Sequence, residues 1–343
     1  MESYVMIEID GSYGEGGGAL LRLSAALAAS TGQSIKVSDI RAKRPRKGLM
    51  PQHLNALKSV ALLSNASYNG LHDESTEVLF RPHELVGGDY KLDIGTAGSI
   101  TLVLQCFMIP AVFSDGPVNL MVKGGTDVRW SPMFDYFNNV TIPLLKSIGY
   151  HIDLQLVQRG HYPKGGGIVN IQIHPINKFK PFKLVDLRID RIKGISHAVM
   201  LPEHVASRQA RSAEKFLEKE GFDADIEIQH SNQALGPGSG IVLWTEGKNR
   251  IGGSSIGEPG KRAEIVGQEA AKELLYHISG DVALDRYMGD QIIPYMSLAG
   301  SSHVKTAELT QHTVTNIYIS ERITGKSFKV EGKLGDQADI MVD

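Results

Sequence analysis

Two clusters of residues in this sequence have the types and spacing to do chemistry. The first runs from Ile9 to Arg22, Ile-Asp-Gly-Ser-Tyr-Gly-Glu-Gly-Gly-Gly-Ala-Leu-Leu-Arg. A strand that enters a glycine turn and leaves as a helix aims free backbone N–H groups at an anion. Glycine lets a phosphate approach the main chain, because no Cβ stands in the way. Glu15 lies inside this cradle, where its carboxylate would repel a phosphate unless a cation lay between them. Arg22, one turn into the helix, points a second cation at whatever the loop holds. A basic run, Arg41-Ala42-Lys43-Arg44-Pro45-Arg46-Lys47-Gly48, follows one helix and one strand later. Such a run can be a solvated loop, but arginine forks suit phosphate oxygens.

The second cluster is C-terminal: Arg286-Tyr287-Met288-Gly289-Asp290-Gln291, then Thr310-Gln311-His312-Thr313-Val314-Thr315-Asn316-Ile317. His312 stands out among twelve histidines, because polar Gln311 and Thr313 flank it just before an apolar segment that reads as a strand. His53, His72, His83, His151, His277 and His303 fall on segments that read as exposed or amphipathic. No histidine pair has the H-x-x-x-H or H-E-x-x-H spacing, so a zinc site is not expected. The single cysteine, Cys106, lies in an apolar run and reads as a core residue. It cannot form an internal disulfide, which fits a reducing cytosol.

Taken alone, Gly14-Glu15-Gly16-Gly17-Gly18-Ala19 also fits the dinucleotide pattern G-x-G-x-x-G/A, with Asp39 placed where a ribose ligand would stand. Three features weaken that reading. The loop from Gly11 to Gly18 is longer than the tight turn the pattern needs. Arg22 aims into it. The rest of the chain reads as antiparallel-rich, not as repeated right-handed crossovers. A Walker A loop is absent, since no G-x-x-x-x-G-K-[ST] occurs.

The elements that must position these residues follow from apolar periodicity and turn signals. Val5–Ile9 reads as a strand and Ala19 onward as a helix. Then come a strand at Ser34–Val37, a helix from Pro51, strands at Thr76–Phe80 and Tyr90–Ile94, and a helix from Ile100 to Phe107 that Pro110 kinks or ends. Val118–Lys123 is a strand, about Met133 to Ile148 a helix, and Ile152–Val157 and Gly167–His174 strands. The openings "IEIDGSYGEGGGALLRL" and "KLDIGTAGSITLVLQ" echo each other, which suggests duplicated α+β units. From about Leu184 to Ile278 the pattern differs. A strand-like Val185–Ile189, a charged helix at Pro202–Lys219, strands at Asp223–Gln229 and Gly240–Thr245, a glycine-rich loop at Gly252–Gly260 and a helix at Arg262–His277 read as a separate small α/β module. Asp285–Leu298 is helical in part, and Asn316–Ser320 closes with an alternating strand.

With 343 residues, 42% hydrophobic and 22% charged, the composition is that of a folded soluble protein. The net charge of −2 means that nucleic-acid affinity must come from local patches. No apolar run approaches a membrane span of roughly 18–20 residues, and no signal peptide is indicated. A cytoplasmic location is therefore expected, with no membrane partner.

The segments "DGSYGEGGGALLR", "IRAKRPRKGLMPQHL", "FRPHELVGGDYKLDIGTAGSITLVLQ", "KGGTDV", "GHYPKGGG", "GDQIIPYMSLAG" and "TQHTVTNIYISER" occur in the order seen in RNA 3'-terminal phosphate cyclases, which this chain resembles outside about residues 184–250. The resemblance implies ATP-dependent conversion of an RNA 3'-phosphate to a 2',3'-cyclic phosphate, with a divalent metal, magnesium or manganese. It makes His312 the nucleophile that becomes linked to AMP, with Asp290 and Gln291 the active-site pair near it, and Asp290 is expected to be catalytic as a carboxylate that orients the ring and supports the charge developing on it. It makes Glu15 the metal ligand beside the triphosphate. Arg22, Arg41 and Arg44 match arginines that hold phosphates, and Gln52 and Gln105 match polar active-site positions. The chain departs from the family at Ile256, where an aromatic residue can face the adenine.

The fold implied by the resemblance is α+β. A large domain of three βαβαββ repeats, as in the C-terminal domain of translation initiation factor three, would comprise residues 1–183 and 279–343. A small thioredoxin-like α/β domain, 184–278, would be inserted in the third repeat. The implied partners are RNA with a 3'-terminal phosphate and ATP, with assembly into a homo-oligomer left open. A non-catalytic relative that binds RNA in ribosome assembly is the main alternative, and retention of His312, Glu15 and Arg22 argues against it. A carboxyvinyl transferase of related fold is a further alternative, and it leaves the basic loop unexplained.

Overall fold

A computed structural model describes residues 6–343. Val5, expected to open the first strand, lies outside the described residues. The chain begins with β1 (Ile7–Asp10), α1 (Gly18–Thr31), β2 (Ile35–Ser38), α2 (Pro51–Leu63), β3 (Ser67–Asn69) and β4 (Val78–Arg81). These strands form a sheet of order β1-β2-β4-β3, in which β1 and β2 are parallel and the other pairs antiparallel. Next come β5 (Gly88–Asp93), α3 (Ile100–Ala111), β6 (Val118–Gly124) and a helical stretch of α4 (Phe134–Tyr136), a π-turn at Phe137–Thr141 and α5 (Ile142–Ser147). Strands β7 (His151–Gln158) and β8 (Gly167–His174) complete a second sheet, β5-β6-β8-β7, again with one parallel pair.

A two-residue strand, β9 (Lys183–Leu184), precedes a distinct unit: β10 (Ile189–Val199), α6 (His204–Lys219), β11 (Ala224–Ser231), β12 (Gly238–Gly247), β13 (Gly252–Ile256) and α7 (Ala263–Ile278). Its sheet runs β11-β10-β12-β13. The chain continues through α8 (Arg286–Gln291), α9 (Ile293–Ala299), β14 (His303–Thr306), α10 (Gln311–Thr324), β15 (Phe328–Gly332) and β16 (Ala338–Val342). Here β14 pairs in parallel with β9, giving the order β15-β16-β14-β9. Three of the four sheets among the described residues thus share one order and one pattern of sense. The architecture is mixed α+β, and no helix of the described residues is long and apolar enough to cross a membrane.

Two apolar clusters hold these layers. One draws on all three like-ordered sheets, through Ile9, Val37, Phe80, Val122, Val169, Val304 and Ile340, and on the helices packed over them. The other lies inside the fourth sheet's unit and joins Ile192, Ile241 and Leu243 to Ala210, Leu217 and Leu274 of its two helices.

Four segments depart from the expectations of the sequence. Asn316–Ser320 is not a strand but the middle of α10. Its β-branched residues favour a strand locally, yet Thr313, Ile317 and Ser320 are buried at helical spacing. Thr310 starts the helix with a reciprocal capping box through Thr313, which satisfies two N–H groups that a helix start leaves free. Gly252–Ile256 is a strand and not a loop. Its glycines allow close approach, since a Cβ on Gly252 would meet the Tyr136 ring at 2.5 Å and one on Gly253 the Leu274 nitrogen at 2.4 Å. The long strand of the module is Ile189–Val199, not Val185–Ile189, because it is the central strand of the sheet, paired in parallel with β11 on one side and antiparallel with β12 on the other, and its second half is buried. The helix from Phe134 carries a π-turn just before Pro143. Proline has no N–H to give to the carbonyl of Asn139, and the Arg250 guanidinium donates to it instead at 2.9 Å.

Replacing Thr310 by alanine removes the cap that starts α10. We expect a loss of about 1 kcal/mol in urea-induced unfolding, with no change in the dependence of the unfolding free energy on urea. An unchanged midpoint would show that the cap is not holding the helix start.

Candidate active site

The loop between β1 and α1 is shaped by its own main chain. Asp10 Oδ1 accepts from the Ser12 N–H at 2.8 Å, and the Gly16 N–H bonds the Tyr13 carbonyl at 2.9 Å. Gly14 and Gly16 take φ of 59° and 55°, a left-handed conformation that suits glycine. Gly14 also lies against α10, where an added Cβ would stand 2.5 Å from Thr315 Oγ1. Tyr13 stacks on Tyr318 of the same helix, with ring centroids 3.8 Å apart. The loop is therefore docked on α10, and Glu15 is carried to the start of that helix.

There Glu15 Oε2 lies 3.5 Å from His312 Nε2 and 3.2 Å from Arg44 Nη2. All three side chains are about half exposed, so the pairings add little to stability. They place one carboxylate between an imidazole and a guanidinium at a surface opening. The opening leads to a cavity of about 520 Å³, lined by Arg22, Gln105, Asp290, Gln291 and His312 among others. That volume falls in the range of small-molecule sites.

The cavity has an uneven charge balance. Burial lowers the Arg22 pKa from its ordinary value, while Cys106 and Asp290 pull it back up. The Asp290 carboxyl is pushed well above the usual carboxylate range by burial and by Asp285, against the pull of Arg22 and Arg286. The Asp285 carboxylate accepts from Tyr136 Oη at 2.7 Å, the Gly252 N–H at 2.9 Å, and the Tyr287 and Met288 N–H groups at 3.0 and 2.9 Å. It caps α8, and thereby sets Asp290 and Gln291 in the cavity wall. Thr141 Oγ1 donates to Gln291 Oε1 at 3.4 Å, and Asn316 Nδ2 to the Asp290 carbonyl at 2.8 Å.

The basic loop is only partly brought to the site. Arg44 reaches Glu15. Arg41, at φ 58°, instead folds onto its own loop and donates to the Arg46 carbonyl at 3.3 and 3.1 Å. Its pKa is lowered by burial and then by Arg44 and Arg46, while Arg44 is paired with Glu15 and Arg46 with Glu74 at 3.1 Å. Gln52 lies outside the cavity wall and contacts His53 Nε2 at 3.3 Å. His53 itself corrects the sequence reading, since it is 2% exposed. Burial, with Arg22 and Arg41 nearby, lowers its pKa to about 3. The neutral ring presses on Gly18, where an added Cβ would lie 2.0 Å from Nε2. His277 is likewise buried, with Nδ1 2.8 Å from the Gly252 carbonyl.

Ile256 stands at the end of β13, beside a second hollow that it shares with Trp130, Ser131 and Ser254. Trp130 and Ser254 also line the larger cavity. Trp130 is a residue that sequence reasoning missed. It is 92% exposed and holds φ at 61°, a strained conformation for a bulky residue. Its only signal in the sequence is a tryptophan set between Arg129 and Ser131 after a glycine turn.

A family model described as RNA 3'-terminal phosphate cyclase matches residues 13–330. The chain is 51% identical over 337 residues to the RNA 3'-terminal phosphate cyclase of Methanothermobacter thermautotrophicus, covering 98% of this chain and 100% of that relative. It is 46% identical over 346 residues to the protein of that name in Methanopyrus kandleri, and 48% identical over 341 residues to that of Pyrococcus furiosus, each match covering 98% of both chains.

The raised pKa of Asp290 has a consequence for stability. The folded protein holds this proton at pH values where the unfolded chain has released it, so stability falls as pH rises above about 4. Asp290→Asn removes the titration. Without nucleotide or metal, we expect the variant to be more stable than the parent at pH 8, with a smaller difference at pH 5. Thermal unfolding at the two pH values measures this, and a gain that does not grow with pH would contradict it.

Proposed function

The chain belongs to the RNA 3'-terminal phosphate cyclase family, and from that premise we propose that it converts an RNA 3'-terminal phosphate to a 2',3'-cyclic phosphate, using ATP and a covalent histidine–AMP intermediate. The observation that carries this reading is the meeting of His312, Glu15 and Arg44 at the mouth of a cavity that also holds Arg22, Gln105, Asp290 and Gln291.

A ring nitrogen of His312 forms a bond to the α-phosphorus of ATP, and the bond to pyrophosphate breaks. An imidazole is a competent nucleophile near neutral pH without deep activation. Glu15 lies against the ring and offsets the positive charge that develops on it. Arg22 and Arg44 bear the charge of the phosphates, with Arg41 and Gln52 at the outer edge of the same basic surface. AMP then passes from His312 to the RNA 3'-phosphate. The adjacent 2'-hydroxyl attacks that phosphorus and expels AMP, an intramolecular step favoured by proximity. Gln105, Asp290 and Gln291 position the nucleotide. Asp290 in its protonated form donates a hydrogen bond to a phosphate oxygen instead of repelling it.

Magnesium or manganese would supply charge neutralisation for the departing pyrophosphate. Glu15 fits as its ligand, because the contacts to His312 and Arg44 both use Oε2 and leave Oε1 for the ion. Such ions take one or two carboxylates together with phosphate oxygens.

Ile256 and Trp130 flank the hollow that would take the adenine. Trp130 provides the aromatic face that Ile256 lacks. The like order of three sheets supports reading them as βαβαββ repeats, with the third split after β9. The order of the fourth sheet supports a thioredoxin-like inserted domain. We place the large domain at residues 1–183 and 279–343, the insert at 184–278, and the enzyme in the cytoplasm.

Labelling tests the intermediate. Incubation with α-labelled ATP and magnesium is expected to give labelled protein that is stable to alkali and labile to acid, and His312→Ala is expected to take up no label. Unchanged labelling of that variant would exclude the mechanism. Glu15→Ala should adenylylate slowly and recover in part at higher metal concentration.

Fluorescence tests the base contact. The sequence has two tryptophans, and Trp244 is buried, so a change in emission when ATP is added reports Trp130. Trp130→Ala should weaken ATP binding by about 1–3 kcal/mol. Equal affinity of variant and parent would show that the indole does not stack on the base.

A further inference from the structure

Away from the cavity, three side chains from separate segments converge in the interior with unmet bonding capacity. Asp127 follows β6, His161 lies in the turn between β7 and β8, and His197 is on β10 of the fourth sheet. They are 0%, 3% and 0% exposed. One ligand atom from each lies within 4.8 Å of those of the other two. Asp127 Oδ1, His161 Nε2 and both ring nitrogens of His197 are buried with no hydrogen-bond partner among the described residues. Leaving one such atom unsatisfied costs about 1–3 kcal/mol, and four together call for an occupant.

The surrounding charges say which kind. Asp127 Oδ2 accepts from Thr126 Oγ1 at 2.7 Å and from Arg159 Nη1 at 3.3 Å. Arg159 also donates through Nη2 to both oxygens of buried Asp135, at 3.0 and 2.8 Å, and to Gln229 at 2.8 Å. Asp135 Oδ2 lies 3.7 Å from His197 Nδ1. The fixed charges around the free nitrogens are two carboxylates against one guanidinium, a setting that disfavours an anion. A metal ion can take lone pairs from two imidazoles and a carboxylate oxygen at once, and the ligand atoms already stand within 4.8 Å of one another. The imidazole rings stand 5.3 Å apart at 28°. His161 is packed so closely against Gly238 that an added Cβ there would fall 2.1 Å from the ring.

We propose that Asp127, His161 and His197 bind a divalent transition-metal ion, zinc being the best match, as a structural clamp between the second sheet and the fourth. Two imidazoles and one carboxylate are an established type of zinc ligand set, with water as fourth ligand. The nitrogen-rich set separates this site from the oxygen chemistry that suits magnesium at Glu15. Spacing rules miss it because its ligands come from three distant segments and meet only in the fold. The site does not depend on the reading of the reaction.

Metal analysis tests it. Full-length protein is stripped with dipicolinate, dialysed, and given zinc chloride alone. The expected result is a single zinc ion retained per chain, a thermal midpoint that falls on stripping and returns with zinc, and the same behaviour in Glu15→Ala. Asp127→Asn and His197→Gln should not retain the ion. Should those variants fail to fold, stripped wild-type protein given cobalt chloride should show the visible absorption of a low-coordinate cobalt ion with nitrogen ligands. The proposal is overturned if wild-type protein takes up neither zinc nor cobalt stoichiometrically, or if Glu15→Ala loses the ion while Asp127→Asn keeps it.

Discussion

The carboxylate of Asp285 is the contact on which most of the site depends. It is buried, and it accepts hydrogen bonds from α4 between β6 and β7, from strand β13 of the fourth sheet and from the first turn of α8. Three parts of the fold therefore meet on two oxygen atoms. A buried charge is tolerated only when its lone pairs are met, and here every donor comes from an element whose position matters to the cavity. The same negative charge helps keep the neighbouring Asp290 protonated. One residue thus sets where Asp290 stands and adds to the burial that raises its pKa.

The opposite wall is built by close approach. Gly14 and the Tyr13–Tyr318 stack bring the glycine loop onto α10, and Gly18 yields space to the His53 ring. A Cβ at Gly14 would stand 2.5 Å from Thr315 Oγ1 and one at Gly18 2.0 Å from His53 Nε2, so neither position has room for a side chain. The loop is thus fitted to a helix and a histidine.

Glycine turns, an arginine run and a polar-flanked histidine are local signals that mark Glu15, the basic loop and His312 as candidates, whereas Gln105, Asp290 and Gln291 stand out only through the resemblance to the cyclase family. Glu15, Arg44 and His312 were singled out separately, and the fold brings them into contact. Arg41 and Gln52 were harder to place, because a loop can turn its side chains either way without a change in its sequence. The elements read well where period and turn residues agree, as in α1 and β8. They failed where tertiary packing overrides local preference. The β-branched run of α10 looks like a strand until its capping and its buried helical face are seen. The glycines of β13 look like a loop until Tyr136 and Leu274 are seen pressing on them. Trp130 gave no periodic signal at all, and Asp127, His161 and His197 share no sequence neighbourhood.

Glu15 and His312 are separated by 297 positions (312 − 15). The docking of the first loop on α10 therefore closes a long chain loop, and the cavity is an assembly of distant segments. A growing chain displays the glycine loop and the basic loop well before the helix that carries His312. Until α10 has emerged and packed against the loop, Glu15 and Arg44 have no imidazole beside them, and the cavity lacks the wall that His312 and Asn316 give it.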